Sequence, residues 1–400
     1  EIAVVKKDSI WVTDRKGNPI TKKVFEVNWN AEAAEKGGYE HFMLKEIHEQ
    51  PKAVRDTISP RINKENTQVV LDELKWTKEY VENFNKIYIV ACGTAYHAGL
   101  VGKYYIEKLA RIPVEIDIAS EFRYRDPIID EHTLTIVISQ SGETSDTLAA
   151  LKESKRLGAK TLAITNVVGS SIAREADQVM YTWAGPEIAV ASTKAYTTQL
   201  VTMFLFAMYV SGLKGTITTE RTHELLTQLR LLPDEINRTL EDVEPIKTFA
   251  KNYAFNNDVF YIGRSLDYNV ALEGSLKLKE ISYIHAEAYA AGELKHGTLA
   301  LIESGVPVIA LATQKSVYEK TLSNIKEVKA RDAVMIGIAA EDDNELEKYV
   351  DHVIKVPATD ELLIPLLTVV PLQLLAYYAA ITRGCDVDKP RNLAKSVTVE

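Results

Sequence analysis

The sequence predicts an α/β protein made of two similar three-layer α/β/α domains, each with a parallel sheet. Short apolar runs rich in β-branched residues alternate with segments of helical periodicity, which is the pattern of βαβ units. The runs recur at an offset of roughly 170 residues, so that residues 87–93 resemble residues 259–264 and residues 135–138 resemble residues 306–310. This offset is far too long for a solenoid repeat and indicates a duplicated domain.

The composition is that of an ordinary globular protein. The chain has 400 residues, 46% hydrophobic and 26% charged, and this length allows two or three domains. The net charge is −9 and no basic run occurs, so nucleic acid is not an expected partner. Two cysteines, Cys92 and Cys385, are too few for a disulfide framework and suit a reducing compartment. We therefore expect a cytoplasmic protein.

The first residues predict a β-hairpin rather than a domain. Residues 10–12 and 24–27 are strand-like and flank a turn at residues 15–19. A single hairpin is not a stable domain, so we interpret it as the end of an upstream domain. The expected order is an upstream remnant at 1–27, a linker and helix at 28–78, a first domain at 79–218, a connecting helix at 219–249, a second domain at 250–387 and a C-terminal tail at 388–400.

Residues 362–381 are apolar over a length that matches a membrane span. Pro365, Pro371 and Gln373 argue against a membrane helix, and no second span accompanies it. A helix that is apolar on all sides needs a core or a partner. We therefore predict a buried helix at a subunit interface and, together with the apolar residues 200–210, a homodimer without membrane contact.

A hydroxyl-rich loop follows one predicted strand. Residues 135–138 are β-branched and apolar, residues 139–144 read SQSGET, and a helical pattern follows. Ligands of open α/β sheets bind at this edge, and helix N-termini bind phosphate. The loop lacks the lysine of a nucleoside-triphosphate loop, so it suits one small phosphate. An ordinary helix N-cap explains the same residues equally well.

Three charged side chains share one face of a predicted helix. Glu273, Lys277 and Glu280 are spaced i, i+4, i+7. A solvated row of ion pairs has this pattern. A glutamate held beside a lysine in a cleft can instead transfer protons.

Two further residues suggest catalysis. His296 lies in a loop bounded by Gly292 and Gly297, where it is either a surface side chain or a general acid or base. Lys395 lies in a mostly uncharged tail, where it is either solvated or desolvated and able to form a Schiff base. No histidine pair has convincing metal spacing, so we predict neither a metal nor a cofactor.

A series of motifs in one order resembles the isomerase part of the glutamine–fructose-6-phosphate aminotransferases, also called glucosamine-6-phosphate synthases. The resemblance runs from about residue 40 to residue 400 and rests on EIHEQP at 46–51, CGT at 92–94, SQSGET at 139–144, VASTK at 190–194, LKLKE at 276–280, GELKHG at 292–297 and the tail from 391. It implies two sugar-isomerase (SIS-type) domains of flavodoxin-like topology.

The resemblance also implies roles for individual residues. The sugar phosphate is held by Ser139, Gln140, Ser141 and Thr144. The sugar site is lined by Cys92, Gly93, Thr94, Val190 and Ser192. The implied catalytic residues are Glu280 for proton transfer between C1 and C2, Lys277 beside it, Lys395 for the Schiff base, and His296, lent by the neighbouring subunit, for ring opening. Ala95 departs from the serine that many relatives have at this position.

The implied activity is the conversion of fructose 6-phosphate to glucosamine 6-phosphate, or to glucose 6-phosphate when no ammonia arrives. The family's glutamine-hydrolysing domain has an N-terminal cysteine nucleophile, and neither cysteine here matches it. We therefore expect the isomerase half alone, without glutaminase activity. The alternative is a non-catalytic sugar-phosphate sensor of the SIS type, which needs the SQSGET loop but not Glu280, His296 and Lys395.

Overall fold

The structure, a computed structural model, describes residues 1–22 and 35–399. The chain divides into two compact units, Glu1–Ala31 and Glu32–Glu400. The first unit contains an antiparallel sheet of three strands in the order β1-β2-β3, namely β1 (Ile2–Lys6), β2 (Ser9–Thr13) and β3 (Pro19–Ile20).

The predicted strand at 10–12 lies in β2, but its pairing differs from the prediction. Its partners are β1 and β3, whereas the predicted partner at 24–27 falls outside the described residues. The turn closes early because the Asp14 carboxylate accepts hydrogen bonds from the backbone N–H groups of Lys16 (2.7 Å) and Asn18 (2.9 Å). The chain therefore reverses by Asn18.

The second unit contains two five-stranded parallel sheets with identical topology, which confirms the predicted fold class. The strands of the first are β4 (Lys86–Ala91), β5 (Val114–Ile118), β6 (Thr133–Ser139), β7 (Lys160–Thr165) and β8 (Gln178–Tyr181). Those of the second are β9 (Asp258–Gly263), β10 (His285–Ala290), β11 (Pro307–Leu311), β12 (Val334–Ala340) and β13 (His352–Val356). The orders are β5-β4-β6-β7-β8 and β10-β9-β11-β12-β13, both equivalent to the flavodoxin-like order 2-1-3-4-5.

Helices cover both faces of each sheet. Along β4, Ile87 and Ile89 belong to one hydrophobic core while Tyr88 and Val90 belong to another, because successive side chains of a strand point to opposite faces. The helices are α1 (Phe42–His48), α2 (Gln50–Ile58), α3 (Lys78–Glu82), α4 (Gly93–Tyr105), α5 (Ala119–Phe122), α6 (Ser145–Arg156), α7 (Ser171–Glu175), α8 (Lys194–Lys214), α9 (Thr219–Glu241), α10 (Glu244–Tyr253), α11 (Leu266–Ser282), α12 (Tyr318–Lys329) and α13 (Pro365–Thr382).

The two apolar helices lie in the core of the chain itself, so the prediction that they form a subunit interface is wrong. Helices α8 and α13 are long and apolar enough to span a membrane, but 83% of the most apolar stretch of each is buried within the chain. Their side chains belong to the same hydrophobic core as β4 and β9. Their all-round apolar character is therefore satisfied without a partner.

The connection between the two halves is helical but interrupted. Helices α9 and α10 replace the single predicted helix, and the chain leaves helical geometry at Asp242 (φ −106°, ψ 87°). At the other end of the chain, Asp388–Val399 forms neither helix nor strand. This C-terminal tail runs back to the first sheet, as described below.

Candidate functional site

The hydroxyl-rich loop lies between β6 and α6, at the carboxyl edge of the first sheet. Ser139 Oγ lies 2.9 Å from Thr144 Oγ1 and accepts a hydrogen bond from the N–H of Gly142 at 3.0 Å. Ser141 Oγ accepts from the N–H of Glu143 at 3.2 Å. The loop thus presents several hydroxyl groups at the N-terminus of α6, where an anion is favoured.

Gly142 allows this loop to pack against the start of α7. Its φ is +65°, and a Cβ added there would lie 2.0 Å from Ser170 Oγ. The Gly142 carbonyl accepts from the N–H of Ile172 at 2.9 Å, and the Glu143 carboxylate accepts from the N–H of Ser171 at 2.8 Å. The loop is therefore fixed by the neighbouring helix before any ligand binds.

The loop forms one wall of a cavity of about 160 Å³. The cavity is lined by Cys92, Thr94, Ala95, Ile138, Ser139, Gln140, Ser141, Thr144, Thr147, Val190, Ser192, Gln199, Glu280, Ala394 and Lys395. The first sheet, the loop before α8, helix α11 of the second half and the C-terminal tail all contribute to it. Most of the residues in its lining are polar, so it can hydrogen-bond to a hydrophilic ligand.

The predicted charged face of α11 is buried rather than solvated. The side chains of Glu273 and Lys277 have no exposed surface, and Glu280 is 21% exposed. Lys277 Nζ lies 2.5 Å from Glu280 Oε2 and 3.5 Å from Glu273 Oε1, and it donates to Thr94 Oγ1 at 3.0 Å. Burial alone would lower the pKa of Lys277, but Glu280 and Glu273 raise it to about 12. Lys277 is thus a fixed cation behind Glu280.

The tail places Lys395 in the cavity through contacts with the loop before α8. Lys395 Nζ lies 2.5 Å from Glu187 Oε2 and donates to the Ala189 carbonyl at 2.8 Å and to Ser192 Oγ at 3.3 Å. Glu187 Oε1 accepts from two backbone N–H groups at the start of α8, those of Thr193 (2.9 Å) and Ala195 (3.0 Å). The lysine is therefore held by a rigid carboxylate.

The tail also contacts the hydroxyl-rich loop. Ser396 Oγ lies 3.0 Å from Ser141 Oγ, and the N–H of Ser145 donates to the Val397 carbonyl at 3.0 Å. These contacts fold residues 394–397 over the cavity.

Two buried carboxyl groups near Lys395 differ in charge. Burial opposes ionisation of Glu187, but Lys395 and hydrogen bonds to its carboxylate outweigh burial and lower the pKa of Glu187 to about 2. Burial and then repulsion by Glu187 raise the pKa of Glu46 to about 8. Glu46 Oε1 accepts from the N–H groups of Ile188 and Ala189, whereas its buried Oε2 has no hydrogen-bond partner among the described residues. These opposite pKa shifts favour the ionised form of Glu187 and the protonated form of Glu46 near neutral pH.

The structure brings most of the predicted site residues together. The cavity lining contains Cys92, Thr94, Ser139, Gln140, Ser141, Thr144, Val190, Ser192, Glu280 and Lys395. Burial raises the pKa of the Cys92 thiol, which favours its uncharged form. Lys277 lies behind the lining, where it contacts both Thr94 and Glu280.

Two predicted residues lie elsewhere among the described residues. Gly93 lines a separate cavity of about 460 Å³ with Tyr96 and His97. His296 is exposed and ends a 3₁₀ turn, Ala291–His296, outside the cavity lining of its own chain.

Several residues in or beside the cavity have no role that the sequence predicts. Glu187 carried an available signal, since it is the only charged residue between Asp177 and Lys194. Glu46 begins the EIHEQP motif at 46–51, which does not by itself indicate a function for this side chain. Thr147 and Gln199 line the cavity from α6 and α8, and nothing in their spacing distinguishes them from core positions.

The equivalent loop of the second half is filled by a side chain of the chain itself. After β11, the N–H of Thr313 donates to Asp267 Oδ2 at 2.8 Å and Thr313 Oγ1 to Oδ1 at 2.5 Å, and the N–H of Gln314 adds a third contact at 3.3 Å. Asp267 is 1% exposed, and burial raises its pKa to about 6. The donors that face a cavity in the first half here face an internal carboxyl group.

Comparisons with known proteins agree with this architecture. The SIS domain family model matches residues 81–209 and 254–383. The chain is 63% identical over 400 residues to a glutamine–fructose-6-phosphate aminotransferase (isomerizing) of Caldanaerobacter subterraneus subsp. tengcongensis and 60% identical to one of Clostridium tetani. Both alignments cover 100% of this chain and 66% of the relative, so the chain spans slightly less than two thirds of the relatives' length.

A solved structure is also similar. The C-terminal domain of glucosamine-fructose-6-phosphate aminotransferase from Francisella tularensis superposes with a TM-score of 0.84 at 42% identity, covering 89% of this chain and 100% of that one. The resemblance identified from the sequence motifs is thereby confirmed.

Proposed function

We propose a function from one premise. The chain belongs to the SIS domain family and is a relative of the C-terminal domain of glucosamine-fructose-6-phosphate aminotransferase. The chain binds fructose 6-phosphate, opens the ring, forms a Schiff base and isomerises the ketose to an aldose. With ammonia from a glutaminase domain, the product is glucosamine 6-phosphate. The chain acts in the cytoplasm, and residues 1–27 belong to the upstream domain.

The observation that supports this proposal is the set of side chains that line one cavity. A loop of hydroxyl groups at a helix N-terminus, the Glu280 carboxylate and the Lys395 amine line the same small space. The hydroxyl loop binds the phosphate, together with Gln140, and thereby fixes the sugar carbons against the other wall. Binding energy gained at the phosphate is used to orient the reacting carbons.

Each reacting group has a chemical role. The Lys395 amine attacks the C2 carbonyl and water leaves, giving an imine. Ammonia then displaces the Lys395 amine from C2, or water hydrolyses the imine back to the ketone, so the lysine is released before the proton moves. Glu280 next removes a proton from C1 and returns it to C2, with its negative charge balanced by Lys277. Cys92, Thr94, Val190 and Ser192 contact the sugar hydroxyls from the cavity wall.

His296 opens the sugar ring and is supplied by a second copy of the chain in a homodimer. Its exposed position outside the cavity lining of its own chain supports this arrangement. The apolar helices no longer support dimer formation, so this assignment rests on the resemblance and on the position of His296.

A non-catalytic sensor is the less favoured function. A sensor needs the phosphate loop, but it has no use for a buried lysine that holds a carboxylate in the cavity or for an amine positioned by Glu187. In both arrangements, charged groups are held in fixed positions. A site that only binds its ligand would leave these groups in solvent.

Exchange of the C1 proton with deuterated solvent tests the proposal. Fructose 6-phosphate incubated with the chain should incorporate deuterium and yield glucose 6-phosphate. Glu280→Gln should retain binding but lower exchange by about 10²–10⁴-fold, because the amide keeps the shape without the base. Glu303→Gln, at an exposed position, is the matched control. Normal exchange in Glu280→Gln would contradict the role of this carboxylate.

Borohydride reduction tests the amine. Reduction in the presence of fructose 6-phosphate should fix the sugar on Lys395, since an imine is reducible. Peptide mass spectrometry locates the adduct. Attachment of the sugar to Lys277 or Lys194 instead would show that Lys395 does not form the imine.

A second assay compares nitrogen sources. Ammonium, but not glutamine, should support formation of glucosamine 6-phosphate.

A further inference from the structure

A histidine outside the substrate cavity contacts the buried charges of α11. His97 Nδ1, on α4, lies 2.8 Å from Oε2 of Glu273, and the His97 side chain is 14% exposed. Glu273 pairs with Lys277, and an ionised carboxylate can only accept hydrogen bonds, so Nδ1 carries the hydrogen. His97 lines a different cavity from the one that Glu280 lines. Both residues nevertheless belong to the same network of polar contacts.

The network runs from His97 to the carboxylate that faces the substrate. Glu273 Oε1 accepts from Thr94 Oγ1 at 3.1 Å and lies 3.5 Å from Lys277 Nζ. Lys277 in turn contacts Glu280 at 2.5 Å. Thr94 and Glu280 both line the substrate cavity, so a shift at Glu273 reaches that cavity through Lys277 and Thr94.

The charges explain why the hydrogen bond from His97 matters. Glu273 and Glu280 compete for one ammonium group, and Glu273 has no exposed surface. Without His97, the Oε2 atom of Glu273 loses its donor, and a carboxylate with no exposed surface needs hydrogen bonds. Glu273 would then draw Lys277 closer and away from Glu280 and Thr94.

We propose that His97 is a positioning residue for proton transfer at Glu280, acting by holding Glu273 so that Lys277 stays shared between the two carboxylates. This inference rests on the proposed isomerase function. It predicts that the chemical step, rather than sugar-phosphate binding, depends on the hydrogen-bond donor at position 97. It also predicts that the imidazole ring itself is dispensable.

Three substitutions in the full chain test the inference. His97→Leu removes the donor. His97→Asn retains one, because the amide nitrogen of asparagine can occupy the position of Nδ1. His97→Gln keeps a polar side chain but carries its amide one bond further away, and it replaces His97→Leu if that variant does not fold. The measurements are kcat and KM for deuterium exchange at C1 of fructose 6-phosphate, with the unfolding temperature as a control.

We expect kcat of His97→Leu and His97→Gln to fall by up to about 100-fold, because displacing a positioned group by about 1 Å can cost this much. KM should change much less than kcat, because the phosphate loop does not contact His97 within the residues that the structure describes, and His97→Asn should recover most of the activity of the unsubstituted chain. Unchanged kcat in His97→Leu or His97→Gln, a parallel rise in KM, or an equal loss in His97→Asn would overturn the inference. Absence of exchange in the unsubstituted chain would instead overturn the proposed function, and this inference with it.

Discussion

Replacement of Gly142 by alanine should destabilise the chain through two separable effects. Its φ of +65° lies in the left-handed region, which costs an alanine about 1–2 kcal/mol. The added Cβ would also lie 2.0 Å from Ser170 Oγ and 2.8 Å from Thr165 Oγ1. Relief of such overlap in a packed region costs a further amount of about 1–3 kcal/mol. The free energy of unfolding should therefore fall by about 2–5 kcal/mol.

Two other glycines provide matched controls. Gly215 has a φ of +69°, but no atom of the described residues lies within 4 Å of an added Cβ, so Gly215→Ala measures the backbone cost alone. Gly212 lies within α8, and an added Cβ there likewise meets no neighbouring atom within 4 Å in the described part of the chain. Gly212→Ala should therefore stabilise the chain by about 0.4–1 kcal/mol. Urea unfolding of the three variants should rank them Gly212→Ala, Gly215→Ala, Gly142→Ala from most to least stable.

A double variant identifies the source of the overlap. Ser170→Gly removes the closest side chain and costs little by itself, because glycine is an acceptable N-cap for α7. Combined with Gly142→Ala, it should restore part of the lost stability, which gives a favourable coupling energy. Equal stability of Gly142→Ala and Gly215→Ala, or zero coupling with Ser170→Gly, would refute the described packing of the phosphate loop against α7.

Three further predictions concern binding, pH and assembly. Ser141→Ala should weaken fructose 6-phosphate binding by about 1.5–3 kcal/mol in calorimetric titration, because it removes a donor to a charged group; unchanged affinity would exclude Ser141 from the phosphate site. Because its folded-state pKa of about 8 exceeds the ordinary 4.5, Glu46 stabilises the fold below pH 4.5 and loses this contribution as the pH rises to 8. Glu46→Gln should therefore gain stability relative to the unsubstituted chain over this window, by up to about 1.4 kcal/mol per pH unit in urea unfolding; a pH-independent difference would contradict the protonated state. Mixing His296→Ala with Glu280→Gln should restore exchange activity through heterodimers with one intact site, whereas an inactive heterodimer would assign His296 to its own subunit.

The sequence predicted the repeated parts of the fold because their signal is local. Residues 87–93 and 259–264, for example, are short and mostly apolar, which is the pattern of a buried strand. The order of such runs along the chain indicates the parallel topology. The assignment of residues 362–381 to an interface was wrong because apolarity indicates burial but does not identify what covers the helix. The chain's own core covers it.

The polar contacts of the site were largely unpredictable from spacing. Lys395 and Glu187 are 208 residues apart in sequence, and Thr94 and Glu273 are 179 apart. The i, i+4, i+7 pattern on α11 indicated that its three charges meet. It did not reveal that Glu273 and Lys277 are fully buried, because their hydrogen-bond partners Thr94 and His97 come from α4.

The unequal loops of the two halves have an evolutionary consequence. A duplicated domain begins with two copies of whatever site it carries, yet here the second copy has closed its loop with Asp267 while contributing α11 to the cavity of the first. The two copies are therefore constrained differently: the first must keep its loop open, and the second must keep the donors that satisfy the buried Asp267 on α11. The duplication has become a division of labour, and each half is now dependent on the other for a complete site.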